Sequence, residues 1–200
     1  MWGDLGAVLI SGLVDRPTPD ADLSLSRTGP FLPPISFPWL GTEGKRIVVS
    51  DSFRHALEQA LIPDLHFRTV KKERIVRLPW HDWDLTAVCP AVYPSEEPEG
   101  YITDSSHDPQ AAADMPPAWE LVLPFLPVRL LQAKSPQGEY LDWYFAEAAS
   151  VPAQTPSLFV NRERFGHLIA TDEAREWLEK HVGEWVRLCP VRTVDELPTS

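Results

Sequence analysis

Cysteine is scarce in this chain: two residues in 200, Cys89 and Cys189, far apart and each followed by proline. Thiols so separated offer neither the spacing of a zinc knuckle nor a disulfide framework, and the expectation is two buried free thiols. Glycine is almost as sparse, at 10 residues. The chain contains no Gly-x-Gly-x-x-Gly, no Walker loop, no Gly-x-Ser-x-Gly elbow and no His-Glu-x-x-His. Those gaps remove the motif-bearing nucleotide enzymes, α/β-hydrolases and zincins, so neither an enzyme nor a cofactor is expected. No apolar run approaches the ~18 residues of a membrane helix. The Met1–Val14 stretch lacks the Lys or Arg that opens a secretory signal. A cytoplasmic protein is therefore expected. Positive charge is also short: 18 basic residues face 29 acidic ones, a net charge of −11. A surface of that sign repels a phosphate backbone, which argues against nucleic acid as a partner.

What the chain has in excess is proline and tryptophan, with 21 and 8 residues. The prolines cluster at Pro30, Pro33, Pro34 and Pro38, at Pro90, Pro94 and Pro98, and at Pro116, Pro117, Pro124 and Pro127. Each cluster removes backbone donors and disfavours helix just before it, so long stretches must be irregular or extended. The tryptophans require apolar burial, and with 44% hydrophobic residues the chain can form a core. Long, ordered, proline-rich loops are the expectation.

Periodicity supplies the elements. Leu5–Val14 reads as a strand, Asp15–Ser26 as a polar loop, and Arg27–Leu40 as an extended segment. Ile47–Val49 is a β-branched strand and Ser50 a helix N-cap. Phe53, Ala56, Leu57, Ala60 and Leu61 then make one apolar helical stripe, which Pro63 stops. Leu65–Val70 and Arg74–Leu78 read as two strands, with Lys71, Lys72, Arg74 and Arg77 as a solvated hairpin between and beside them. Near the C-terminus Leu158–Val160 is a strand, with Asn161 capping a short helix through Phe165, Leu168 and Ile169. Thr171 caps a second helix, carrying Ala174, Trp177, Leu178 and Val182 on one face and stopping at Gly183. Trp185–Val191 returns as a strand. The predicted fold is α/β or α+β: a mixed sheet with a few short helices, within one domain over 1–200. Two related strand–helix–strand modules, 45–78 and 157–193, are joined by an acidic, proline-rich region, 79–128.

Charge placement is the most specific signal. Between Arg77 and Arg129 lie 51 residues with no Lys or Arg and with nine acids, whereas the other 149 residues carry 18 basic and 20 acidic groups. The same region holds Trp80, Trp83, Tyr93, Tyr101 and Trp119. Acids steer a basic partner by long-range attraction, and aromatics supply desolvated anchors. The predicted contact residues are Trp80, Asp82, Trp83, Asp84, Glu96, Glu97, Glu99, Tyr101 and Asp104. The plainer alternative is an adaptor subunit whose acidic loops only keep it soluble.

Two catalytic constellations compete with this reading. His81, Asp82, Asp84 and His107 have the residue types of a divalent-metal site in a metal-assisted hydrolase, without the spacing of a specific motif. Ser105-Ser-His-Asp108 has the types of a serine triad, but triads are assembled from separate elements rather than from neighbours. No catalytic and no metal residue is therefore assigned.

The order of short motifs is itself informative. Thr28-Gly-Pro-Phe-Leu-Pro-Pro-Ile-Ser-Phe-Pro38 is followed by Ile47-Val-Val-Ser-Asp-Ser-Phe-Arg54, His66-Phe-Arg-Thr-Val-Lys71 and Ile75-Val-Arg-Leu-Pro-Trp80. Leu158-Phe-Val-Asn161 and Gly183-Glu-Trp-Val-Arg187 close the series. This resembles the immunity-type proteins encoded beside bacterial polymorphic or secretion-delivered toxins, with their Val-Ser-x-x-Phe strand-to-helix step and following Phe-x-Pro-Val strand. Here one such strand ends Leu188-Cys-Pro-Val191, and the other departs with Thr69 in place of proline. The resemblance covers about half of the chain. It implies a non-enzymatic antidote that occludes a cognate toxin, and it carries no catalytic residue.

Overall fold

The computed structural model describes residues 10–18, 20–40, 44–60, 62–77, 100–126, 130–134, 140–145, 156–161, 168–186, 188–189 and 191–192. The chain divides into two compact units, Met1–His55 with Phe67–Leu121 and Ala56–His66 with Val122–Ser200. The fold is α+β, with mixed sheets and a few short helices.

The first unit is built on one sheet. Its strands are β1 (Leu13–Asp15), β2 (Leu23–Thr28), β3 (Ile35–Ser36), β4 (Trp39–Leu40), β5 (Gly44–Lys45), β6 (Val48–Ser50), β7 (His66–Val76) and β8 (Ala118–Val122). They lie in the order β3-β6-β8-β7-β2-β1-β4-β5, and β4 and β5 are two-residue ribbons at one margin. The other margin, β3, is equally short and sits among Pro33, Pro34 and Pro38, which leaves an edge poorly suited to pairing with another chain. Most pairs are antiparallel, but β2 runs parallel to β7 and β1 to β4.

Several expectations are corrected here. The polar loop predicted over Asp15–Ser26 contains most of β2, because Leu-Ser-Leu-Ser alternates and places Leu23 and Leu25, both fully buried, on the core face. The strand predicted over Leu5–Val14 is confined, among the described residues, to Leu13 onward; Gly12 before it has φ +85°. The expected hairpin at Lys71 and Lys72 does not exist: β7 runs unbroken for 11 residues. Its register with β2 skips Glu73, which keeps Val70, Lys72 and Ile75 beside Leu23, Leu25 and Arg27.

The acidic region also supplies regular structure. It contains α2 (Gly100–Thr103), α3 (Pro109–Asp114) and β8, which inserts between β6 and β7. Ile102, Ala111, Met115 and Ala118 are buried. Ala111, Met115 and Ala118 pack with Val14, Leu23, Leu25, Leu32, Val48, Val70 and Ile75 as one core. α1 (Asp51–Gln59) follows β6 as predicted, with Ser50 Oγ accepting the Phe53 N–H at 3.3 Å.

The second unit contains two three-stranded sheets. β9 (Phe125–Leu126), β12 (Leu158–Asn161) and β13 (Leu168–Ala170) form one, in the order β13-β12-β9. β10 (Leu130–Lys134), β11 (Tyr140–Phe145) and β14 (Val191–Arg192) form the other, in that order. Leu130, Phe159 and Ile169 make its core, with Leu126 and Val191 against them. The helix predicted through Leu168 and Ile169 is instead β13, which pairs antiparallel with β12; β-branched Ile169 faces Phe159 in that register. Phe165 lies outside the described residues. α4 (Asp172–Val182) starts after Thr171 and ends before Gly183 at the predicted places, and buries Ala174, Leu178 and Val182, but the Thr171 side chain makes no capping hydrogen bond and Gly183 keeps right-handed helical dihedrals. Among the described residues, the strand expected over Trp185–Val191 is found at Val191–Arg192, while the Trp185 and Val186 N–H groups still bond to the Val182 carbonyl. Cys189 is exposed rather than buried, and Cys89 lies outside the described residues. Among the described residues no helix is long and apolar enough to cross a membrane.

Candidate functional site

Of the predicted contact residues, Trp80, Asp82, Trp83, Asp84, Glu96, Glu97 and Glu99 lie outside the described residues. Tyr101 is half-buried on α2, and Asp104 is exposed just beyond that helix. What positions them is β7. Lys72 and Arg74 on the strand, and Arg77 just after it, reach into the segment that has no cation of its own.

Lys72 donates from Nζ to the Ala112 carbonyl at 2.7 Å and also to the Met115 carbonyl. Both carbonyls lie at the C-terminal end of α3, where backbone acceptors have no helical partner and the helix dipole is negative. Desolvation on burial holds the Lys72 ammonium below its ordinary pKa. Arg74 donates from Nη1 to the Thr103 carbonyl at the end of α2. Ile75, next to Arg74 on β7, uses both backbone groups: its N–H donates to His107 Nδ1 at 3.0 Å and its carbonyl accepts from the Asp108 N–H at 2.7 Å. The carboxylate of Asp108 caps α3, with Oδ1 accepting the Ala111 N–H at 2.8 Å and Oδ2 accepting Arg77 Nε at 3.0 Å. Pro109 occupies the first turn, where a missing N–H costs nothing. The Ala111 bond first, and the Arg77 guanidinium second, keep the Asp108 carboxyl below its ordinary range.

This geometry bears on the catalytic alternatives. Both Asp108 oxygens are taken by the cap and by Arg77, and His107 Nδ1 is taken by a backbone N–H, so Ser105, His107 and Asp108 do not form a triad. His81, Asp82 and Asp84 lie outside the described residues, and among the described ones no group of three potential ligands is gathered. Asp104 and Asp114 are exposed, and each accepts from a neutral neighbour, Thr103 Oγ1 at 3.1 Å and Gln110 Nε2 at 2.7 Å.

Two other features of the acidic segment turn inward. Glu120, 4% exposed on β8, pairs with Arg16 beyond β1. Trp119 donates from Nε1 to Asp51 Oδ1 at 2.8 Å, and the Arg54 guanidinium lies 4.3 Å from its ring centroid. Desolvation raises the Asp51 carboxyl, but the Trp119 and Arg54 hydrogen bonds, with charge from His55 and Arg54, outweigh it and leave its pKa lowered. The nine acids are therefore not one free negative face: Asp108 and Glu120 are spent on the protein's own arginines.

The residue that sequence reasoning passed over is Arg27. It is 1% exposed on β2, and its signal was parity with Leu23 and Leu25, the only hint that it faces the core. Compared with known proteins, the chain matches no family model, no curated protein and no solved structure.

Proposed function

We propose that this protein is a non-enzymatic, cytoplasmic binding protein of the immunity type, which neutralises a basic protein partner through the acidic, aromatic-bearing segment 78–128. The observation that carries the reading is the run of 51 residues without Lys or Arg, holding nine acids. Two of those acids serve internal pairs, and the remainder supply the negative potential that draws in a cationic surface. The anchoring of residues 100–115 on β7 supports it, because Asp104 and Asp114 are then held in place before a partner arrives. Preorganisation of that kind lowers the entropy lost on association.

The test is stopped-flow association with the product of the adjoining reading frame, at low and high salt, using charge reversals at Glu96, Glu97, Glu99, Asp104 and Asp114. The association rate is expected to fall about 10-fold or more with salt and with the reversals, while dissociation changes less. Rates indifferent to both would refute the steering role.

A further inference from the structure

Arg27 stands on the core-facing side of β2 at 1% exposure. Its Nε donates to the Thr28 carbonyl at 2.9 Å, but Nη1 meets no acceptor among the described residues. A guanidinium has five N–H donors and no acceptor, so burying it without an anion is among the most unfavourable arrangements a core can hold. Burial pulls its pKa down to about 10, and among the described residues no opposing charge offsets that. Arg16, just beyond β1, differs in having a carboxylate: its Nη2 is paired with Glu120, although its Nε too meets no acceptor among the described residues. The backbone beside Arg27 is pared to glycine. Gly12 has φ +85°, and a Cβ on it would stand 2.6 Å from the Arg27 Cβ. Glycine in such a place marks a close approach that a side chain would block.

We propose that Arg27 is the recognition group of a site for a small oxyanion, the chemistry shared by phosphate and carboxylate ligands. Its planar fork takes two oxygens, and the anion satisfies the donor left open while neutralising the buried charge. Since the guanidinium is covered, the ligand enters as the chain around the end of β2 opens, and binding is slower than diffusion. The proposal is independent of the protein-partner reading, because it concerns a buried cation and a small ligand.

The experiment is thermal unfolding and calorimetric titration at constant ionic strength, with inorganic phosphate, acetate or chloride. Wild type, Arg27→Met and Arg27→Lys are compared. Phosphate or acetate is expected to raise the wild-type Tm saturably, by about 5–10 °C at a hundredfold excess over Kd, and chloride is not. Arg27→Met should lose that response while melting at or above the wild-type Tm without anion, because an uncompensated charge has gone. Arg27→Lys, which keeps the charge without the fork, should bind about 10-fold more weakly or worse. A response to phosphate alone assigns a phosphoryl ligand, and one to acetate alone a carboxylate. An unresponsive wild type overturns the proposal, as does an equal response in Arg27→Met. If Arg27→Met does not fold, the wild-type titration and the lysine variant decide it on the same criteria.

Discussion

Glu120 and Arg27 show how differently one sheet treats a buried charge. Glu120 has its guanidinium partner in Arg16, and both side chains are close to fully buried, at 6% and 11% exposure. Removing one partner strands the other: Glu120→Ala is expected to cost about 3–5 kcal/mol, since Arg16 is then an unpaired buried cation. Replacing both, as Arg16→Met with Glu120→Leu, should recover most of that loss, because two apolar groups of similar size need no counter-charge. Urea unfolding of the single and double variants checks this. A double variant as unstable as the single one would mean that the pair contributes through something other than charge compensation. Neither residue's role was legible in the sequence. A glutamate within Ala-Trp-Glu-Leu-Val at the end of an acidic stretch reads as one more solvated acid until a partner 104 positions away is seen.

At the scale of elements, β7 is the organising piece. An 11-residue strand carrying Lys71, Lys72 and Arg74, with Arg77 just beyond it, contradicts the hairpin expected from so many charges that look solvated. It stays whole because Lys72, Arg74 and Arg77 are taken up by the carbonyls and the cap of residues 100–115. Lys72→Met is expected to destabilise α3 by about 1–2 kcal/mol, by orphaning two helix-end carbonyls. Amide exchange should quicken over residues 109–115 well before it does in β2 and β6. Equal effects on all three would place Lys72 in the global core instead. The helices bordered by local signals were read correctly. Ser50 before α1, and Thr171 and Gly183 around α4, mark their ends through residues next to the helix itself. β13 was misread because a few apolar residues ahead of a helix fit either period, and only pairing with β12 selects the strand.

At the scale of the molecule, the acid-sensitive groups lie where the acidic segment is tied down. Asp51 and Asp108 both titrate below their ordinary range in the folded chain. Their contribution to stability is therefore complete above the unfolded carboxylate pKa and is lost as pH falls through the lowered folded values. Stability is expected to hold from neutrality to about pH 5 and to decline below about pH 4. Asp108→Asn should flatten part of that decline, as read from the urea midpoint against pH. An unchanged slope would show that Asp108 is not a source of it. The segment is thus partly an internal fastening and partly a display of charge.

The amino-acid sequence alone determined what depends on neighbours along the chain: the places of α1 and α4, the short β-branched strand β6, a mixed α and β composition and the confinement of negative charge to 78–128. Those features follow from local hydrogen bonding, periodicity and composition. Only the tertiary structure decided that β8 enters the sheet between β6 and β7, that Asp108 and Glu120 pair with the protein's own arginines, and that Arg27 is buried with no counter-charge among the described residues. Each of these turns on which distant backbone lies alongside, and on a register in which one residue's slip reverses the face a side chain occupies.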